Sequence, residues 1–443
     1  MNRFLGLGLV LIHITSWSQN FEELCKQRVE YQETPGIAAV IFENGQRQFI
    51  SYGLSNVESQ DEVTPKTLFE IGSITKTFTS SMLSYFVKKN ELDLNDPVQK
   101  HLPSSILLPQ KNGKSITLLH LATQHAGLPR MPGNFSPADQ ANPYIDYTEK
   151  ELTAYLNNCE LKYEPGTTYE YSNLGMGTLG YLLTQKKNKP YSELVKETLL
   201  SPLQMNQTFI SGQEKSKYLA VGYKESNPAK AWTWSNESAL TGAGGIVSNT
   251  EDMVKFLIAQ LGSDKSILSL AFEDAHRERM EAGSENMQIG LAWHIRDHKY
   301  VWHNGGTGGF RSFIGFDPIK KRGLVILTNS STGIDDLGFH WLDESFPLKE
   351  IKKPLKLATA MIKEYEGIYQ INPTFTIAIT SKGTNLFMHA TAQPTVSIYA
   401  EEVDKFFLKA ADVEIHFMRG VNNRIEKLVL LQNGGEQEGK KIN

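Results

Sequence analysis

Ser73 and Lys76 are the two side chains whose types and spacing most directly indicate chemistry. They follow an apolar, strand-like run that ends at Gly72, and they open a helix-like run. Residues three apart lie on one helix face, so the lysine amine would stand beside the serine hydroxyl. A serine is a weak nucleophile until a base takes its proton, and a lysine that has lost its charge can be that base. The pair predicts acyl transfer, the alternative being a helix cap beside a solvated lysine.

Tyr171 and Asn173 form a second candidate element, in the tripeptide Tyr171-Ser172-Asn173. A turn signal at Pro165-Gly166 precedes it and an apolar, helix-like run follows it. The tripeptide is therefore predicted on a loop that enters a helix. A phenol can donate or accept a proton, and an amide can do both, so the two side chains suit proton transfer and the binding of a substrate amide. The alternative is a packing aromatic followed by a helix cap.

His303, Gly305 and Gly306 form the third candidate element, between strand-like segments at 300–303 and 311–316. Glycine lets a backbone approach a ligand closely. Backbone N–H groups exposed at such a place can hold an oxyanion. The alternative is a glycine-rich connection between two strands, with the histidine at its edge.

In the order S-x-x-K, Y-x-N and [KH]-x-G, the three elements resemble the serine β-lactamase and penicillin-binding protein superfamily. The tyrosine of the second element is similar to the branch of class C β-lactamases, D-alanyl-D-alanine carboxypeptidases, D-aminopeptidases and related esterases. Segments 117–129 and 242–253 are also close to segments typical of that branch. The resemblance extends over about residues 22 to 340.

The resemblance implies a serine hydrolase that works through a covalent acyl-enzyme and needs neither cofactor nor metal. Ser73 would be the nucleophile, and Lys76 and Tyr171 would share the general-base role, undecided between them. The backbone N–H groups of Ser73 and Gly306 would hold the oxyanion, and Asn173 would hold a substrate amide and the Lys76 side chain. The substrate-binding residues implied are Asn173, His303, Gly305 and Gly306.

His303 marks a departure from the class C β-lactamases, which usually carry lysine there. Histidine is similar to the residue of carboxypeptidase-like, aminopeptidase-like and esterase-like members. It is mostly neutral at pH 7, so we expect its protonation at lower pH to favour substrates with a carboxylate. The alternative is that His303 contacts Tyr171 instead of the substrate. The expected substrates are β-lactams or D-amino-acid peptide amides. A carboxylic esterase and a non-catalytic penicillin- or peptidoglycan-binding protein are the alternatives.

Composition and the first residues bear on partners and location. A net charge of −4 over 443 residues argues against nucleic acid as a partner. Residues 1–18, with Arg3 before an apolar stretch, are typical of a signal peptide, with a retained anchor as the alternative. We therefore expect a periplasmic or secreted protein without a transmembrane segment in the mature chain. Its partner would be a small-molecule or peptide substrate, with peptidoglycan as a candidate, and Cys25 and Cys159 are expected as free thiols.

The order of helix-like and strand-like runs predicts an α+β fold with an antiparallel sheet flanked by helices, and the resemblance adds a helical subdomain. Strand-like runs include one across 289–295. Near the C-terminus, six short strand-like runs separated by turn residues indicate a small β-barrel, which resembles a lipocalin-like domain. Its expected role is structural or the restriction of substrate access. The predicted domains are a hydrolase domain at 19–345, a linker at 346–358 and the all-β domain at 359–443.

Overall fold

The chain forms two compact units. The computed structural model describes residues 20–212, 216–262, 264–409, 411–432 and 434–442, so the predicted signal peptide at 1–18 lies outside the described residues. Among these described residues, one unit comprises residues 20–29 with the part from Thr34 to Leu348, and the other comprises Glu30–Glu33 with the part from Lys349 to Ile442. The predicted linker and domain bounds remain predictions. No helix within the described ranges is long and apolar enough to cross a bilayer.

The first unit combines an antiparallel sheet with helices, as predicted. Its strands are β1 (Gly36–Glu43), β2 (Gln46–Asn56), β3 (Asp61–Glu62), β4 (Phe69–Glu70), β5 (Phe209–Ile210), β6 (Gly222–Lys224), β7 (Asn227–Ala229), β8 (Ile246–Ser248), β9 (Met280–Ser284), β10 (Met287–Ile289), β11 (His294–Arg296), β12 (Tyr300–Gly306), β13 (Arg311–Asp317) and β14 (Arg322–Thr328). Among the described residues the main sheet has nine strands, in the order β3-β2-β1-β14-β13-β12-β11-β10-β9. A smaller sheet has the order β4-β8-β5.

The helices of this unit cover the sheet or form a helical region beside it. They are α1 (residues 20–30), α2 (Thr75–Lys88), α3 (Leu118–Ala122), α4 (Glu149–Leu156), α5 (Asn173–Lys187), α6 (Tyr191–Val195), α7 (Thr250–Leu261), α8 (Ile267–Ala275) and α9 (Asp335–Leu342). The helix-like run predicted after Ser73 and the one predicted after Asn173 correspond to α2 and α5.

The main sheet is buried on both faces, which explains its apolar strands. Successive side chains of a strand point to opposite faces. In β1, Ile37 and Ala39 join a core with Phe21 of α1. Ala38 and Val40 join the larger core of the helical region. With apolar contacts on both sides, β1 has no polar face, so its sequence is a continuous apolar run.

The prediction of one strand across 289–295 is wrong. β10 ends at Ile289 and β11 begins at His294, and a tight turn lies between them. Gly290 donates its N–H to the Trp293 carbonyl at 2.8 Å, and Ala292 has a φ of +63°. The run is buried and apolar although it turns, so its hydrophobicity alone could not distinguish a turn from a strand.

The second unit contains a closed β-barrel, which confirms the predicted all-β C-terminal domain. Helix α10 (Thr359–Tyr365) precedes the barrel, whose strands are β15 (Gly367–Asn372), β16 (Phe375–Lys382), β17 (Asn385–Ala390), β18 (Val396–Glu402), β19 (Lys405–Phe407), β20 (Val413–Arg419), β21 (Ile425–Gln432) and β22 (Gly435–Lys441). The sequence prediction missed β15 and β22. In β22 only Gly439 is fully buried, so the strand carries no apolar pattern. It is held by pairing with β21 and β15, which leaves the barrel without an open edge.

Candidate active site

Ser73 lies on a sharp turn between β4 and α2. β4 pairs with β8, and the chain then enters a 3-10 turn at Gly72–Ile74 before α2 begins at Thr75. Gly72 has a φ of +49°, and a Cβ added there would lie 2.7 Å from the Gly306 backbone nitrogen. Only glycine tolerates both conditions. The alternative reading of Ser73 as a helix cap is wrong, because α2 is preceded by Ile74 and has no side-chain cap.

Lys76 reaches Ser73 from the first turn of α2. It is 0% exposed, which excludes the solvated lysine of the alternative reading. Its Nζ lies 2.9 Å from Ser73 Oγ and donates to the Ala243 carbonyl at 2.7 Å. Burial, and then the charge of Arg130, hold the pKa of Lys76 well below its ordinary value. An uncharged amine that donates to Ala243 retains a lone pair, and this can accept the Ser73 proton.

Tyr171 stands beside this pair. Its ring centroid is 4.8 Å from Lys76 Nζ and 5.0 Å from the guanidinium carbon of Arg130. Burial raises the pKa of Tyr171 to about 12, although the Ser73 hydroxyl and the Arg130 charge act in the opposite direction. The phenol therefore keeps its proton near neutral pH. Of the two groups left open by the sequence, Lys76 is the one whose lowered pKa favours an uncharged, basic form in the resting site.

Asn173 begins α5, but Ser172 caps that helix, its hydroxyl accepting from the Gly175 N–H at 2.8 Å. The Asn173 amide donates to the Tyr144 hydroxyl at 3.3 Å, and its Oδ1 is buried without a partner among the described residues. No hydrogen bond joins it to Lys76 within that part of the chain. The expected Asn173–Lys76 contact is replaced by the Ala243 carbonyl. The open Oδ1 acceptor suits a substrate N–H group.

His303 on β12 is 1% exposed. Its Nδ1 lies 2.6 Å from the Asn304 carbonyl oxygen. A carbonyl can only accept, so Nδ1 carries the hydrogen and Nε2 is a bare acceptor, buried without a partner among the described residues. Burial, His294 and Lys76 hold the pKa of His303 well below its ordinary value. The burial of His303 and its lowered pKa therefore argue against the expectation that it protonates as pH falls and then attracts a carboxylate.

His294 is a residue of this cluster that sequence reasoning did not assign. Its ring stacks nearly parallel to Tyr171, with centroids 6.5 Å apart, and lies 5.2 Å from that of His303. Its Nε2 lies 2.9 Å from the Tyr169 hydroxyl, and burial lowers its pKa to about 4. Two neutral imidazoles thus pack beside Tyr171. Within the described ranges no cluster of histidine, cysteine and carboxylate groups could hold a metal ion.

The two glycines of the third element bring β12 against the turn of Ser73. A Cβ at Gly305 would lie 2.0 Å from the Ile71 carbonyl oxygen. Ser312 Oγ on β13 donates to the same carbonyl at 2.8 Å. Gly306 lies on the other side of the pleat, beside the Arg311 guanidinium and the Gly72 backbone. The chain therefore places the backbone of Gly306 next to Ser73, as an oxyanion site requires.

Glu70 and a cluster of three aromatic side chains also lie in this part of the unit, and no motif in the sequence pointed to either. Burial raises the pKa of Glu70 to about 7, and its Oε1 accepts from the Trp232 N–H at 2.8 Å. The Tyr144 ring stacks on Trp234 at 4.4 Å and lies 5.2 Å from Trp232. Tyr144 lies far in sequence from both tryptophans, and its hydroxyl contacts the Asn173 amide, so only the fold brings this aromatic cluster to the site.

A separate cavity of about 530 Å³ lies beside Thr241 and Gly242. Tyr181, Tyr191 and Gly242 line it together with polar side chains of α5. None of the seven predicted site residues lines this cavity. The candidate active site is therefore the cluster around Ser73 and not this cavity.

Known proteins resemble this chain in sequence and in structure. The model of the family described as Beta-lactamase matches residues 21–343. A β-lactamase of Yersinia enterocolitica is 30% identical over 350 residues, which covers 68% of this chain and 84% of that protein. The D-alanyl-D-alanine-carboxypeptidase/endopeptidase AmpH of Escherichia coli K12 is 30% identical over 329 residues, covering 68% and 83%.

The fold itself also has a solved counterpart. The octameric penicillin-binding protein homologue from Pyrococcus abyssi matches with a TM-score of 0.65 at 24% identity, over 95% of this chain and 99% of that one. The family match covers the part of the chain that holds Ser73, Lys76, Tyr171 and His303. The chain therefore belongs to the beta-lactamase family of serine hydrolases.

Proposed function

We propose that the protein is an exported serine hydrolase that forms an acyl-enzyme on Ser73 and cleaves D-amino-acid peptide amides or β-lactams. The observation that carries this proposal is a fully buried Lys76, its pKa held low, 2.9 Å from the Ser73 hydroxyl. The names of the relatives, β-lactamase and D-alanyl-D-alanine-carboxypeptidase/endopeptidase, support this substrate class. Export rests on the signal-peptide pattern of residues 1–18.

In the acylation step, Lys76 takes the proton of Ser73 as Oγ attacks the substrate carbonyl. The new oxyanion is held by the backbone N–H groups of Ser73 and Gly306. The bond between the carbonyl carbon and the leaving nitrogen then breaks. The proton taken from Ser73 passes from Lys76 to that nitrogen, with the Tyr171 phenol as the relay. Asn173 Oδ1 accepts a hydrogen bond from a substrate N–H.

Deacylation uses the same groups with water in place of the serine. Lys76, neutral again once the leaving group has taken the proton, removes a proton from water. The hydroxide attacks the acyl carbon, and Ser73 leaves and recovers its proton. His294 and His303 stay neutral throughout and act as positioning residues, because their rings fix the orientation of Tyr171.

A carboxylic esterase is the second candidate. The specific observation in its favour is the neutral, buried His303, since a permanent cation at this position would favour carboxylate-bearing substrates. An ester needs the same nucleophile and base but no carboxylate subsite. The two candidates therefore differ in substrate preference and not in machinery.

A panel of substrates tests the proposal. Nitrocefin, a D-alanyl-D-alanine peptide, D-amino-acid amides and p-nitrophenyl esters are assayed with the full chain and with Ser73→Ala. We expect turnover of the peptide or the β-lactam, and its loss in Ser73→Ala. Turnover of esters alone would identify an esterase. Binding of a fluorescent penicillin without any turnover would identify a non-catalytic binding protein.

A further inference from the structure

The candidate substrates carry a negative charge that the active site must bind. Peptides with a free C-terminus and β-lactams carry a carboxylate close to the bond that is cleaved. An anion of this kind is recognised by a cation or by N–H donors. His303 supplies neither, because its Nδ1 hydrogen is used by Asn304 and its Nε2 is a buried acceptor. Lys76 is uncharged and engaged with Ser73 and Ala243.

Arg130 is the cation that meets the requirement. It is solvent-exposed, and its guanidinium carbon lies 5.0 Å from the centroid of the Tyr171 ring. Among the residues that the structure describes, its guanidinium has no hydrogen-bond or ion-pair partner. Its backbone is held firmly, since its carbonyl accepts the N–H groups of Asn173 at 2.9 Å and Leu174 at 3.3 Å. The start of α5 thus holds the backbone of Arg130, which keeps its guanidinium beside Tyr171.

Other arginines of the chain are used by the protein itself. Ion pairs join Arg28 to Asp336, Arg279 to Asp274, Arg322 to Glu43 and Arg419 to Asp404. Arg311 lies beside Gly306, but its Nη1 donates to the carbonyls of Thr307 at 3.2 Å and Phe310 at 3.1 Å. It is half-buried and close to the Asp335 carboxylate. Arg311 is therefore committed to its own hairpin.

The influence of Arg130 on the site is visible in its neighbours. After burial, its charge is the next cause that holds the pKa of Lys76 low. Its charge also favours a lower pKa for Tyr144 and Tyr169, against the burial that raises both. Its positive field therefore extends over the space that a substrate must enter. A substrate ammonium would be repelled there and a carboxylate attracted.

We propose that Arg130 is the carboxylate-binding residue of the active site and makes the enzyme selective for substrates with a free carboxylate. The favoured class is a peptide with a free C-terminal carboxylate, or a carboxylated β-lactam. The disfavoured classes are the corresponding amides or esters and free-amine substrates of the D-aminopeptidase kind. This inference rests on the proposed function and names its substrate class.

The test compares matched substrates. A D-alanyl-D-alanine peptide and its C-terminal amide are assayed for kcat/KM with the wild type, Arg130→Gln, Arg130→Lys and the control Arg47→Gln. Arg47 is exposed on the β1–β2 hairpin and lies outside the site, so it matches the change in net charge. Benzylpenicillin and its methyl ester serve as a second pair, and their reaction is monitored by covalent labelling of the protein.

We expect Arg130→Gln to lower the acid-to-amide ratio of kcat/KM by about 10- to 100-fold, the size of a hydrogen bond to a charged group. Arg130→Lys should keep part of the ratio, and Arg47→Gln should keep all of it. Added salt should reduce the wild-type ratio, because the arginine is exposed. Arg130 also lowers the pKa of Lys76, and any effect of this kind that is equal for both substrates cancels in the acid-to-amide ratio.

Equal losses for acid and amide in Arg130→Gln would overturn the inference while leaving the proposed function intact. The inference would also be overturned if the acid-to-amide ratio of kcat/KM were unchanged in Arg130→Gln but lost in Arg311→Gln. A wild type that is acylated by none of the four compounds would instead contradict the proposed function, and with it this inference.

Discussion

The uncharged state of Lys76 has a consequence for stability that can be measured without a substrate. In an unfolded chain the lysine pKa is about 10.4. In the folded protein burial holds it well below that value. Between these two values the unfolded state binds one more proton, so the free energy of unfolding increases with pH. Lys76 therefore opposes folding below about pH 10, and the penalty grows as pH falls towards the folded pKa.

One proton corresponds to a slope of about 1.4 kcal/mol per pH unit. Lys76→Met keeps the length of the side chain and removes the titration. Between about pH 8.5 and about pH 9.5, the wild type should gain up to about 1 kcal/mol more stability than Lys76→Met. At neutral pH the variant should be the more stable protein, because it does not have to release a proton on folding.

Urea unfolding monitored by tryptophan fluorescence provides the measurement. Five of the tryptophans, from Trp232 to Trp341, lie in the first unit and none lies in the barrel, so the signal reports on the unit with the site. Lys150→Met, on the exposed surface of α4, is the matched control and should show the wild-type slope. Parallel slopes for all three proteins would show that Lys76 keeps its proton on folding. The assignment of Lys76 as the base would then fail.

Three further predictions concern other parts of the site and the thiols. Tyr171→Phe should slow single-turnover acylation by about 10²-fold, and a rate within about three-fold of the wild type would contradict the relay role. Gly72→Ala should lower the urea midpoint and kcat together, because a positive φ costs about 1–2 kcal/mol and the Cβ would push on Gly306; an unchanged kcat would argue against this geometry. Both cysteines are free, as expected, and Cys25 is buried with a raised thiol pKa. Ellman's reagent should therefore modify only the half-buried Cys159 in the native chain and both thiols in urea; rapid reaction of both in the native chain would contradict this burial.

Much of the fold and the centre of the site were predictable because their signals are local. The helix-like runs after Ser73 and Asn173 indicated α2 and α5, and the six short runs near the C-terminus indicated strands of the barrel. Ser73 and Lys76 are three residues apart, so helix geometry alone brings them together. The three motifs then indicated which distant segments meet.

The missed features depend on contacts between distant segments. The Ala243 carbonyl is a backbone group, so no residue type could reveal that it binds Lys76. His303 was expected to titrate, but its charge depends on burial, which the motif does not encode. Strand β22 is polar and forms only because two neighbouring strands supply its partners. In the sequence nothing distinguishes Arg130 from the other arginines, and only the fold places it over the Tyr171 ring.

The most direct test of the central claim is the mass of the acyl-enzyme. The full chain is exposed to a slowly hydrolysed β-lactam, and its intact mass is measured before and after this exposure. The adduct is then located by proteolytic digestion and mass mapping of the peptides. We expect one added acyl group on the peptide that contains Ser73, and no adduct in Ser73→Ala. An adduct on another residue, or one that persists in Ser73→Ala, would show that Ser73 is not the nucleophile.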